Sequence, residues 1–169
     1  MNITVVGGGV AGLASALSLA RHGHDIIVFE RDHTPMPTSA DEAFAWDRRG
    51  APQVRHSHAF LARLRNLLRD HYPDIYTELL SVGATEMRFG EDLPPEMVGF
   101  AAEPEDADLA MIACRRTTFE WVLRRAALAE GRVSFRTGIA VVGVVVAPRE
   151  KSATPVVIGV QLAERVSDI

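Results

Sequence analysis

The chain has 169 residues, a formal net charge of -4, 47% hydrophobic residues and 24% charged residues. These values exclude a disordered tail, a collagen-like chain and a coiled coil, and suit one soluble domain over residues 1–169, or one domain with a small extension. The acidic balance, with no long basic run, argues against a dedicated nucleic-acid binder. Cys114 is the single cysteine, so neither an internal disulfide nor a cysteine zinc cluster is expected, and a cytoplasmic setting fits. Charged and polar residues interrupt every stretch of transmembrane length, so no membrane span is expected. The apolar start has no basic leader and carries three consecutive glycines, which suits a strand and helix rather than a secretion signal.

Residues 2–6 form a β-branched run that predicts a parallel strand buried on both faces. Gly7-Gly8-Gly9 breaks it, and Val10, Leu13, Ala14, Leu17 and Ala20 recur at helical spacing up to Gly23. Residues 25–30 predict a second strand, completing a β-α-β unit. Residues 31–55, with Pro35, Pro37, Pro52 and the cluster Asp47-Arg48-Arg49-Gly50, read as loop with a short helix near 41–46. Residues 58–70 predict an amphipathic helix with Phe60, Leu61, Leu64, Leu67 and Leu68 on one stripe, and Pro73 ends it. A further helix is expected over 74–81, with Asp74 as its N-cap. Residues 90–108 read as an acidic surface excursion, and 111–114 as a brief strand or turn. Thr117 and Glu120 have capping-box spacing and predict a helix to Glu130. Strands are expected at 132–136, 139–147 and 155–163, with residues 148–154 as a hairpin loop.

Gly7-Gly8-Gly9-Val10-Ala11-Gly12 fits the pattern G-x-G-x-x-G. Here the string follows a strand, opens a helix and leads to a second strand ending in Glu30, which is the context that gives it meaning. Gly7 makes the tight turn, Gly9 lets the backbone approach a pyrophosphate, and Gly12 lets the helix pack on the strand. The first-turn amides, at Val10 and Ala11, and the helix dipole then hold phosphate. Glu30 stands where an acid accepts hydrogen bonds from an adenosine ribose and repels a 2′-phosphate. The motif alone permits NAD or FAD. A small NAD dehydrogenase would continue its regular β-α-β alternation, whereas this chain enters a long Pro- and Arg-containing loop.

Four stretches carry a resemblance. The opening through Leu13, together with Phe29-Glu30-Arg31, resembles the N-terminus of the class A FAD-dependent aromatic hydroxylases, relatives of other FAD monooxygenases and of halogenases. Gly50-Ala51-Pro52-Gln53-Val54-Arg55-His56-Ser57-His58 is similar to the Pro-Gln-x-Arg-His-x-His loop of one subgroup. Arg116-Thr117-Thr118-Phe119-Glu120 is similar to its Arg-x-x-Leu-Glu element, with Phe119 in place of Leu, and residues 133–144 resemble its next strand pair. The resemblance spans residues 2–163.

It implies an α/β, Rossmann-like FAD/NAD(P)-binding fold with a β-α-β N-terminus and added β-strands. It also implies FAD as cofactor, with Gly7, Gly9 and Gly12 at its pyrophosphate, Glu30 at the adenosine ribose and Arg31 beside it. Arg116 is implied at the flavin side, Val141 at a backbone contact with adenine, and Arg55 at the isoalloxazine or pyrophosphate. Intact relatives use NAD(P)H and O₂ to hydroxylate or epoxidise a small organic substrate. They carry a later Gly-Asp motif and a substrate-pocket sheet. The chain has neither and reads as truncated relative to them, so a non-catalytic remnant, or half of a split flavoprotein acting with a complementary chain or as a homo-oligomer, is the alternative. A small NAD-binding dehydrogenase is a third reading.

His56 and His58 lack a nearby acid at ligand spacing, so no metal site is expected. Ser57 has no nucleophile-elbow context and reads as an N-cap. Cys114 reads as a small buried hydrophobe, and Arg124-Arg125 as a solvated helix face. The family chemistry belongs to the flavin, and no catalytic side chain is assigned.

Overall fold

The computed structural model describes residues 1–51, 56–88, 90, 103–148 and 154–163. Its elements begin with β1 (Asn2–Val6), α1 (Val10–Arg21), β2 (Asp25–Glu30) and α2 (Ala40–Phe44). There follow β3 (Ser57–Phe60), α3 (Ala62–His71), α4 (Pro73–Ser81), β4 (Thr85–Met87) and β5 (Met111–Arg115). The chain closes with α5 (Arg116–Ala129), β6 (Val133–Thr137), β7 (Val141–Val146) and β8 (Val157–Leu162). The contacts group into two compact units, one of residues 1–35, 48–51 and 123–169, the other of residues 36–47 and 52–122.

In the first unit β1, β2 and β6 form a parallel sheet in the order β1-β2-β6. Helix α1 lays Leu13, Ala16, Leu17 and Ala20 against it, the i, i+3, i+4, i+7 stripe that a helix needs to bury one face. Ile26 and Val28 of β2 are buried in the same core. Gly23, at φ +83°, ends the turn after α1, a conformation that favours glycine. The β-α-β unit therefore has the expected bounds.

The expected two-sided burial of β1 is corrected. Asn2, Thr4 and Val6 are exposed, while Ile3 and Val5 are half-buried. The polar Asn2 and Thr4 alternate with the apolar pair, so only one face belongs against the core. A second, antiparallel pair, β7 and β8, forms a ribbon with exposed Val142, Val144, Val157 and Ile158. Part of its hairpin loop, residues 149–153, lies outside the described residues.

In the second unit an antiparallel sheet runs β3-β5-β4. Here the helix expected from residue 58 is corrected: residues 57–60 are a strand, with His58 opposite Cys114 and Phe60 opposite Ile112. The β-sheet pairing captures the aromatic end of the stripe, and the Phe60 ring stacks on Phe119 at 4.3 Å. The helix starts only at Ala62, and Leu61 is exposed. Ser57 is consequently a strand residue and not an N-cap.

Pro73 is the first residue of α4 rather than only the end of α3, and Tyr72 takes the N-cap place expected of Asp74. Proline suits that position because its missing N–H would have had no helical partner. Helix α5 likewise begins one residue early, at Arg116, so Thr117 sits inside it and is not the cap. Ile75, Leu79, Ile112 and Phe119 form the core of this unit. Arg65 is buried beside Glu86 at 2.5 Å, and the Tyr76 hydroxyl donates to the same Glu86 oxygen. Most of the acidic excursion before Glu103 lies outside the described residues.

Candidate nucleotide-binding site

The candidate site starts at the turn between β1 and α1. Gly7 has φ +97°, open to glycine but strained for any other residue. Its amide donates to the Phe29 carbonyl at 2.8 Å, which ties the turn to β2. Gly9 is the N-cap of α1, and no side chain caps the helix there. The first-turn amides thus receive no cap from the N-cap position, an arrangement that suits an anion. At Gly12 an added Cβ would stand 1.9 Å from the Gly7 carbonyl oxygen and 3.3 Å from Val5 Cγ1. The crossing of loop, helix and strand leaves room for glycine alone.

Glu30, the last residue of β2, is 7% exposed. Its Oε2 accepts the Gly8 amide at 2.7 Å, and its Oε1 accepts the Asp32 amide at 2.9 Å. A Cβ on Gly8 would lie 3.1 Å from that Oε2. Arg48 places Nη2 3.4 Å from Glu30 Oε2 and Nη1 3.5 Å from Asp32 Oδ2, and Nη2 also reaches the Gly8 carbonyl at 3.4 Å. Asp32 in turn accepts the Thr34 amide and hydroxyl at 2.9 and 2.6 Å. Burial pushes the Glu30 pKa up, but the Asp32 and Gly8 amides and the Arg48 charge outweigh it and hold it below the usual carboxylate value. Asp32 is held low in the same manner, by Thr34 and Arg48.

A carboxylate offers about four acceptor positions. Among the described residues Glu30 fills one on Oε1 and two on Oε2, which leaves a place on Oε1 for a ribose hydroxyl. The turn, the uncapped helix and this acid fit the adenosine diphosphate half of a dinucleotide.

The other expected site residues are distributed as follows. Gly7, Gly9, Val10, Ala11, Gly12 and Glu30 come together at the turn. Arg31 follows β2 and is exposed. Val141 opens β7, two residues after Ile139, whose amide donates to the Glu30 carbonyl at 3.1 Å. Arg116 belongs to the second unit, where its Nε donates to Glu120 Oε1 at 2.9 Å and its side chain is 28% exposed. Arg55 lies outside the described residues.

Sequence reasoning missed Gly8, Asp32 and Arg48. Gly8 occupies a variable position of the motif, and Arg48 sits in what reads as a featureless loop. A buried arginine beside two acids has no periodic signature.

Two further expectations are settled by burial. Arg124 is not solvated: it is buried and stacks over the Phe135 ring at 4.4 Å; Arg125 is exposed. Cys114, expected to be buried, is half-buried, and that burial pushes its thiol up to about 12. Among the described residues no cluster of His, Cys, Asp and Glu is arranged to hold a metal, and no helix is long and apolar enough to cross a membrane. The His58 Nδ1 is 2.8 Å from the His56 carbonyl oxygen.

A family model described as FAD dependent oxidoreductase matches residues 2–79. Over 32 residues, 19% of this chain, there is 59% identity to an "Uncharacterized protein in nifH2 3'region" of Methanothermococcus thermolithotrophicus, covering 31% of that protein. PqsL of Pseudomonas aeruginosa, described as a probable FAD-dependent monooxygenase, superposes over 96% of this chain with a TM-score of 0.63 and 16% identity. Aklavinone-11 hydroxylase, solved with FAD and aklavinone, superposes over the same share with a TM-score of 0.58 and 20% identity. The fold is shared with PqsL and aklavinone-11 hydroxylase. It extends to Thermovibrio ammonificans THI4, at a TM-score of 0.57 and 14% identity. The chain spans 47%, 38% and 29% of THI4, PqsL and aklavinone-11 hydroxylase respectively, less than half of each. The β-α-β turn and Glu30 lie within the residues that the family model matches.

Proposed function

We propose that residues 1–169 form the FAD-binding part of a flavin-dependent monooxygenase. The observation that carries the reading is the assembly of Gly7, Gly9, Gly12 and Glu30 into one turn with an uncapped helix and a spare carboxylate acceptor position. The turn amides and the α1 N-terminus hold the pyrophosphate, and Glu30 accepts the adenosine ribose. Arg31 stands beside the ribose acid. Arg55, Arg116 and Val141 are assigned to the remaining cofactor contacts, at the flavin, pyrophosphate and adenine. The bound flavin would supply the redox chemistry, taking electrons from NAD(P)H and activating O₂ for hydroxylation or epoxidation of a small organic substrate. The chain's own contribution is to bind and orient the cofactor. A cytoplasmic setting accords with the single cysteine.

The test is titration of the purified chain with FAD, followed by flavin fluorescence and by calorimetry. Saturable binding of FAD supports the reading. A chain that leaves flavin fluorescence unchanged, or that binds NADH and not FAD, sinks it.

A further inference from the structure

We propose that Arg48 is a positioning residue for the adenosine ribose, acting through Glu30, whose carboxylate and neighbouring Gly8 turn it holds in the ribose-accepting arrangement. The inference rests on the FAD-binding reading above and assigns a role to a residue outside the motif. Arg48 is 4% exposed, and its guanidinium meets Glu30, Asp32 and the Gly8 carbonyl. Those contacts, at 3.4–3.5 Å, are long for hydrogen bonds, so the guanidinium acts chiefly through its charge.

The need for that charge follows from the two acids. Glu30 and Asp32 are each 7% exposed and both meet the one guanidinium, and a buried carboxylate that loses its cation is pushed toward protonation by desolvation. A protonated Glu30 would turn one of its oxygens into a donor. It would then compete with the Gly8 and Asp32 amides and lose acceptor capacity toward a ribose hydroxyl. Arginine keeps its charge at every relevant pH. Its fork also spans three partners, two acids and the Gly8 carbonyl. Among the described residues of this unit, Arg48 and the Gly8 and Asp32 amides face Glu30, and the Asp32 carboxylate meets the same guanidinium.

The test uses the full chain with ADP and 2′-deoxy-ADP as probes, measured by calorimetry from pH 5 to 8. The unsubstituted chain is expected to prefer ADP. Arg48→Met should weaken ADP at least tenfold while moving 2′-deoxy-ADP less than about twofold, and the residual ADP affinity should fall off at a higher pH than in the unsubstituted chain. Arg48→Lys, which keeps the charge but not the fork, should lose less ADP affinity than Arg48→Met, again with 2′-deoxy-ADP weakened less than ADP. Equal weakening of both probes means a merely structural role and overturns the inference, as does an unchanged pH profile. If Arg48→Met fails to fold by circular dichroism, the ratio of the two probes in Arg48→Lys decides by the same criterion. A chain that binds ADP and 2′-deoxy-ADP equally overturns the ribose role of Glu30 and the inference together. Failure to bind either probe or FAD is the separate failure of the FAD-binding reading.

Discussion

The Gly8 amide lies 2.7 Å from Glu30 Oε2, so the phosphate-type turn and the acid at the end of β2 are one hydrogen-bonded assembly. The acid is fixed by the turn before any ligand arrives, and so its removal is felt in two ways.

Glu30→Ala should weaken FAD binding by about 1–3 kcal/mol, the cost of losing a charged acceptor and leaving the Gly8 and Asp32 amides short of a partner. Calorimetric titration of both proteins with FAD checks this. An affinity within a factor of two of the original would contradict it.

Gly12→Ala should abolish the fit of turn and helix. Its Cβ meets a backbone carbonyl at 1.9 Å, which cannot rotate away, and overpacking of this kind costs about 1–3 kcal/mol or more. Thermal unfolding and FAD titration should both report the loss. Gly143→Ala is the contrast, because its Cβ would meet the flexible Gln161 amide at 2.7 Å and should leave FAD affinity intact.

Acid stability has a definite sign in the second unit. Burial pushes the Glu86 pKa up, but hydrogen bonds from Tyr76, Arg65 and Arg88 overcome it and hold the carboxyl at about 2, against an ordinary value of 4.5. A depressed carboxyl pKa stabilises the fold above the unfolded value, and that stability is lost as pH falls through the folded one. The window is therefore pH 4.5 down to about 2, and the loss is on the order of 3 kcal/mol. Urea unfolding of the natural chain and of Glu86→Gln across that range should converge toward its acid end. Parallel curves would contradict the assignment.

Cys114 should resist thiol reagents in the folded chain. With its pKa pushed up to about 12 from an ordinary 9.0, the thiolate fraction near neutrality falls by about a thousandfold. Labelling with a disulfide reagent should be slow in buffer and prompt in denaturant. Equal rates would place Cys114 at the surface.

Much of this was legible in the residues. The spacing of Leu13, Leu17 and Ala20, the glycine turn and the β-branched strands located the β-α-β unit because each signal is local. Glu30 was legible as the acid ending the second strand. Residues 57–60 were not, because an aromatic, apolar run satisfies helix and strand alike and only the distant β5 decides between them. Arg124 was misread for a similar reason: its cover, Phe135, comes from another element. Gly8 and Arg48 escaped because their partners are brought together by tertiary packing, with Arg48 reaching back 40 residues to Gly8, and Asp32 because the cation beside it lies 16 residues further on.

The middle glycine of the triplet has a consequence for how such a turn can vary. A methyl group at position 8 would sit 3.1 Å from the Glu30 carboxylate, so the two positions are sterically exclusive by a few tenths of an ångström. A shorter acid at position 30 would free that space. Gly8→Ala and Glu30→Asp should then be tolerated better as a pair than Gly8→Ala alone. In related chains the size of the residue at the middle of the triplet should fall as the length of the acid twenty-two positions later rises, a correlation that the spacing of the three motif glycines does not contain.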